Sequence, residues 1–153
     1  MNTPSPEDPV HPDAGLIQRL GYAGLIPFVG LALLLWLLQG EPQVFVSVAL
    51  AAYAGLILSF LGGIHWGIGW LQAGRRDGLG VHFLWGVMPS LLAWPGVLMP
   101  PYAGLVWLGL VLIVCYLVDR RLFVRAGLTP WLTMRFRLTT VASLSCFLGA
   151  GAL

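Results

Sequence analysis

The stretch Pro42–Gly74, PQVFVSVALAAYAGLILSFLGGIHWGIGWLQAG, runs for 33 residues without an Asp, Glu, Lys or Arg. About 20 helical residues, rising 1.5 Å each, cross a bilayer core. The run therefore predicts one long transmembrane helix over about 44–71, with its ends in the interface. Its surroundings have the same character. Of 153 residues, 58% are hydrophobic and 9% are charged, against roughly 25% charged in a soluble domain. Too few charges are present to cover a water-soluble surface. The high hydrophobicity also excludes a disordered chain. Cys115 and Cys146 both lie in apolar runs, which argues against a disulfide-stapled secreted module.

Three further charge-free runs set the number of spans: Leu20–Gly40, Gly78–Val118 and Leu138–Leu153. The first holds one helix, about 20–39. The second is too long for one helix and breaks at Met99-Pro100-Pro101-Tyr102, because proline lacks a donor and clashes with the preceding turn. It divides into about 81–98 and 102–118. The last run extends backward to Thr129-Pro130, which reads as an N-cap followed by proline at the first helical position. A fifth helix then covers 130–153, with Arg135 and Arg137 snorkelling from its first turns.

The expected fold is an all-α, polytopic membrane protein, a compact bundle of five transmembrane helices. Charge placement gives its orientation. All eight basic residues are arginine: Arg19, Arg75, Arg76, Arg120, Arg121, Arg125, Arg135 and Arg137. With five spans they all fall on one side, which the positive-inside rule makes cytoplasmic. The N terminus is then in and the C terminus out. Residues 1–13, with four prolines and three acids, read as a disordered tail lacking the basic start of a signal peptide. Asp13 is placed to cap a helix from Ala14, and 14–153 form the transmembrane domain. Residues 119–129 read as an inner loop anchored by arginines at the headgroups. There Asp119 pairs with Arg120 or Arg121.

Helix 44–71 carries small residues at spacing four: Ser47, Ala51, Gly55, Ser59, Gly63 and Gly67. Small residues let helices approach closely in lipid, so these are the expected packing stripe. His65 lies about six residues, or roughly 9 Å, from the helix end. Ionisable groups at that depth usually face protein or a cavity. His82 and Trp85 begin the next antiparallel helix on the same side. Three uses fit His65. It could ligate haem iron or another metal with His82. It could hydrogen-bond a quinone or porphyrin while Trp66, Trp70 or Trp85 stack on the ring. It could also be neutral and bridge helices, the reading the sequence favours. The candidate ligand-binding residues are Ser59, Gly63, His65, Trp66, His82 and Trp85. Asp77 is placed to pair with Arg75 or Arg76. Pro27, Pro89 and Pro95 each free a carbonyl four residues back, as beside a cavity.

Ala52-Tyr53-Ala54-Gly55-Leu56-Ile57-Leu58-Ser59-Phe60-Leu61-Gly62-Gly63-Ile64-His65-Trp66-Gly67 resembles the signature of an uncharacterised membrane-protein family. That family includes bacterial inner-membrane proteins and the mitochondrial transmembrane protein 69. Leu20–Phe28, Pro89–Trp94 and Leu138-Thr139 resemble its other blocks. The resemblance implies a five-span protein with no established activity, cofactor or substrate. In size and span number alone the chain is also similar to five-helix translocator proteins that bind porphyrin and cholesterol, but their motifs do not occur here.

The leading functional expectation is an accessory, assembly or stabilising factor without catalysis, since no charged catalytic set lies deep in the spans. The alternative is binding or transport of a planar hydrophobe (haem, porphyrin, quinone or a sterol-like lipid) in an inner-leaflet pocket near His65. No metal site is expected, and haem and quinone are the cofactors considered. Expected partners are membrane lipid and a membrane-protein complex or homo-oligomer, with no nucleic acid. The expected location is the bacterial inner membrane, multi-pass.

Overall fold

The computed structural model describes residues 14–74 and 80–153, and they fold into helices with no strand among them. The helices are α1 (Ala14–Ala23), α2 (Ile26–Leu37), α3 (Glu41–Gln72), α4 (Gly80–Leu98), α5 (Pro101–Ala126) and α6 (Leu132–Gly151). A 3-10 turn, Thr129–Trp131, leads into α6. The N-terminal tail, Asp13, Arg75, Arg76 and Asp77 lie outside the described residues. Gly15–Leu37, α3, α4 and α5 are long and apolar enough to cross a membrane. Large apolar side chains such as Ile26, Phe45, Leu84 and Leu91 face outward, as a lipid-solvated surface requires. This is an all-α polytopic membrane bundle.

Several elements differ from expectation. The first span is two helices, because the chain breaks at Gly24-Leu25 and Pro27 occupies the first turn of α2. Proline is welcome there because its missing N–H would be unpaired anyway. The Gly24 carbonyl at the break accepts from Tyr53 Oη at 2.9 Å, so α3 satisfies it. α5 does not stop near residue 118. It continues to Ala126, where Gly127 at φ 79° provides the left-handed cap and Leu128 N donates to Phe123 O at 2.8 Å. The expected inner loop 119–129 is therefore mostly helix, and the actual turn is short.

α3 is central. Leu50, Ala54 and Leu58 pack with Phe28 and Leu35 of α2, Leu105 and Leu108 of α5, and Cys146 of α6. α3 and α4 meet backbone to backbone, because a Cβ on Gly62 would strike the Gly86 carbonyl. Near Gly40, Gln43 Nε2 donates to Leu35 O at 3.2 Å and Ala152 O at 2.9 Å, tying α2 and the C terminus to α3.

The expected packing stripe only half coincides with this interior. Ser47, Ala51 and Gly55 are buried, whereas Ser59, Gly63 and Gly67 face outward. The reason is geometric. At 3.6 residues per turn, each step of four overshoots a full turn by about 40°, so the stripe winds off the contact face.

Candidate functional site

The buried positions of the four long helices follow alternating steps of three and four, the average of 3.5 that keeps one seam toward a neighbour. In α3 the seam reads Ala51, Ala54, Leu58, Leu61, His65, Ile68. In α4 it reads His82, Gly86, Pro89, Ala93, Gly96. α5 gives Leu105, Leu108, Leu112, Cys115, Asp119, Leu122, and α6 gives Arg135, Thr139, Ala142, Cys146, Gly149. Each seam is apolar or small through most of its length and becomes polar near the same end of the bundle. His65, His82, Asp119 and Arg135 meet there.

Asp119 is the hub, and it is 2% exposed. Its Oδ1 lies 2.8 Å from His65 Nε2 and accepts from Trp85 Nε1 at 3.1 Å. Its Oδ2 accepts from Arg135 Nη2 at 2.7 Å. Arg135 Nη1 then donates to Thr139 Oγ1 at 2.9 Å, one turn along α6. On the other side, His65 Nδ1 lies 3.2 Å from His82 Nδ1. Two facing nitrogens at that distance share one hydrogen, so one ring donates and the other accepts. With Asp119 ionised and His65 donating to it from Nε2, a neutral His65 accepts at Nδ1 from His82. Four helices are joined through one carboxylate.

Burying one charge alone is expensive, and pairing with hydrogen bonds at the remaining lone pairs offsets that cost. Asp119 meets both conditions. Arg135 does so less completely, because its Nε has no hydrogen-bond partner.

Beside this cluster lies an apolar chamber of about 570 Å³, walled by α1, α2, α3, α5 and α6 and the turn before α6. Leu25, Phe28, Leu61, Ile64, Phe123 and Trp131 form much of its wall. Arg135 and Thr139 supply its polar end, with the Trp131 indole nearby. Leu20 and Phe60, both mostly exposed, form its rim, so it opens at the outer surface between α1 and α3.

Of the residues singled out from sequence, the structure brings His65, His82 and Trp85 together at Asp119. It does not bring Ser59, Gly63 or Trp66 to them. Ser59 Oγ donates to its own Gly55 carbonyl, Gly63 has open space at its Cβ direction, and Trp66 packs edge-on against Phe83 outside. None of the six lines the chamber. Among the described residues, no group of three or more His, Cys, Asp and Glu is arranged to hold a metal ion.

Two expectations are corrected. Asp119 pairs with Arg135, not with Arg120 or Arg121, which are exposed on the opposite face of α5. Arg135 does not snorkel; it is 8% exposed and points into the bundle. The seam period carried the missing signal, since Asp119 and Arg135 continue it while Arg120, Arg121 and Arg137 do not.

His65→Leu should cost about 1–3 kcal/mol, because it removes a donor from Asp119 and leaves His82 Nδ1 unpaired. Ser59→Ala, on the lipid-facing side, should change stability by less than about 0.5 kcal/mol. Unfolding in mixed detergent micelles would separate the two.

The profile of the family described as "Protein of unknown function (DUF3429)" matches residues 14–151. Transmembrane protein 69 of Xenopus tropicalis is 40% identical over 79 residues, covering 52% of this chain and 31% of that protein. The chain thus spans less than a third of the length of this relative. No solved structure matches significantly. The relative is a eukaryotic protein, the one given above as mitochondrial, and this overturns the expected bacterial inner-membrane location.

Proposed function

The chain belongs to the DUF3429 family of proteins of unknown function, and from that premise we propose that it is a membrane-embedded binding protein. It holds a hydrophobic ligand in the chamber beside the Asp119 cluster. The chamber carries this reading. Its volume of about 570 Å³ falls within the range of small-molecule sites, which are concave, mostly apolar and marked by a few polar groups. The Asp119 cluster has a positioning role, fixing α6 so that Arg135 and Thr139 stand at one end of the chamber. His65 is committed at both ring nitrogens, to Asp119 and to His82, so the ligand is recognised without it.

Two observations support five spans with the N terminus in. α6 has 20 residues, about 30 Å of helix, enough for the hydrocarbon core. Hydropathy underrates it because Arg135 counts as a free charge although it is paired inside. The exposed arginines Arg19, Arg120, Arg121, Arg125 and Arg137 also belong to the parts of α1, α5 and α6 nearest the cluster end, as one cytoplasmic face would have it.

Leu138 lines the chamber and is only partly buried, so Leu138→Trp should fill it without disturbing the Asp119 cluster. Mass spectrometry of the chain extracted in mild detergent should find a retained hydrophobe in the parent. Its amount should fall at least tenfold in Leu138→Trp. Equal amounts in both would refute binding in the chamber.

A second reading, an accessory or assembly factor, draws on the outer face of α3, where Gly63 and Gly67 leave open space beside Ser59. Small residues there suit the close approach of another transmembrane helix. Gly63→Leu should then remove a copurifying membrane protein while the bundle stays folded. Unchanged copurification would count against it.

A further inference from the structure

We infer that α1 is the lid of the chamber, hinged at Gly24-Leu25, and that it swings toward α3 to close the mouth over a bound hydrophobe. This rests on the binding reading above. α1 lines the chamber with Ile17, Leu20 and Gly21, and Gly24 stands at its end. Yet none of residues 15–23 is buried. The helix covers a space and is not packed into a core. Its neighbour in sequence differs: α2 buries Phe28, Ala32 and Leu35, and Gln43 Nε2 holds the Leu35 carbonyl. The rigid body therefore begins at α2. Between the two helices the hydrogen-bond ladder is weakened, because Pro27 lacks the N–H that would reach the Ala23 carbonyl. Tyr53 Oη donates to the Gly24 carbonyl at 2.9 Å. That bond fixes the pivot to α3 and leaves α1 able to tilt beyond it.

Little holds α1 where it stands. In lipid, apolar helices are not driven together by water, and their contact depends on close packing and hydrogen bonds. α1 has such packing at Gly21, against Met134 and Leu138 of α6. It has a polar contact at Tyr22, whose Oη accepts from Arg137 Nη1 at 3.4 Å, longer than an ordinary hydrogen bond. The α6 side is thus already in touch. The open side faces α3, where Leu20 and Phe60 flank the mouth. A ligand seated on Leu61 and Ile64 of α3 gains contact with Ile17 and Leu20 as α1 approaches. Such differential contact is what shifts a helix between two positions. Gly15 lies about 14 Å along the helix from Gly24. A tilt of about 15–20° at the hinge therefore moves Gly15 by about 4 Å.

The test places spin labels on the full chain in uncharged detergent and reads distances by pulsed electron paramagnetic resonance. One pair, Gly15→Cys with Gly67→Cys, spans α1 and the outer face of α3, and both positions have open space in the Cβ direction. A control pair, Val29→Cys with Gly67→Cys, spans α2 and α3, and Val29 is exposed. The native Cys115 and Cys146 are buried and should stay unlabelled. The probes are a decyl-substituted benzoquinone, a short-chain diacylglycerol and oleate. Their binding is followed by tryptophan fluorescence, since Trp131 lies in the wall. With the tightest probe at saturation, the Gly15–Gly67 distance should shorten by about 4 Å and its spread should narrow. The control distance should not change. Pro27→Ala restores the missing N–H, joins α1 to α2 and should at least halve the shift. The comparison of the two label pairs stands without that variant, should it fail to fold. An unchanged or longer Gly15–Gly67 distance with probe bound, or an equal shift in the control pair, would overturn the lid while leaving the chamber a binding site. A full shift in Pro27→Ala would do the same, since the break would not then be the pivot. Binding of no probe, or binding unchanged by Leu138→Trp, would overturn the chamber reading itself.

Discussion

Asp119→Ala should destabilise the bundle by about 3–5 kcal/mol, the cost of stranding one member of a buried ion pair. Three donors lose their acceptor at once: His65 Nε2, Trp85 Nε1 and Arg135 Nη2. The Arg135 charge then remains inside, on the seam of α6, without a counterion. Asp119→Asn should be milder but still costly, because the amide is neutral and offers one acceptor oxygen for donors now spread over two. Arg120→Ala and Arg121→Ala, on the exposed face of the same helix turn, should each change stability by less than about 0.5 kcal/mol. Unfolding in mixed micelles, followed by circular dichroism, would rank the four variants. A small loss in Asp119→Ala would mean that the carboxylate does not join the helices.

The second large effect is steric. At Gly62 a Cβ would meet the Gly86 carbonyl, and at Gly86 it would meet the Trp66 ring, with the Gly62 carbonyl beyond at 2.9 Å. The obstacle at Gly62 is backbone, so it cannot swing aside. Gly62→Ala should cost about 1–3 kcal/mol despite alanine's better helix propensity. Gly62→Leu should cost more, because α4 must then move off α3. Moving α4 also moves His82 and Trp85, so Gly62→Leu should weaken the Asp119 cluster from a distance. Gly63 provides the control one residue away. Its Cβ direction is open, so Gly63→Leu should leave stability within about 0.5 kcal/mol. Crosslinking of cysteine pairs placed across α3 and α4 would register the separation.

Much of this architecture is legible in the sequence, and the failures have a common cause. The helices were visible because charge-free length and proline placement are local properties. Pro100-Pro101 marks the boundary between α4 and α5, and the long Pro42–Gly74 run is one helix, α3. His65 stood out because an ionisable group is rare at that depth. The sequence suggests a local pair of Asp119 with Arg120 or Arg121 and a snorkelling Arg135 beside Arg137, because only neighbours along the chain are visible in it. The true partners are 16 residues apart on facing helices. Reading α5 as continuing past Val118 would have placed Asp119 four residues after Cys115 on the apolar seam. The small-residue stripe follows the interior only from Ser47 to Gly55, because a spacing of four leaves the contact face that a spacing of 3.5 maintains. The chamber had no signal in any one segment. It forms where α1 and α2 part at Gly24-Leu25 and where the turn before α6 brings Trp131 beneath them.

A double-mutant cycle between Asp119 and Arg135 tests most directly whether one buried carboxylate ties the helices together. Asp119→Ala, Arg135→Ala and the double variant would be unfolded in the same mixed micelles. Coupled neighbours in a buried network show an interaction energy of about 0.5–3 kcal/mol, and this pair, at 2.7 Å with both partners buried, should reach about 2 kcal/mol or more. The double variant should then be more stable than the sum of the single losses implies. Losses that add within about 0.5 kcal/mol would contradict the account.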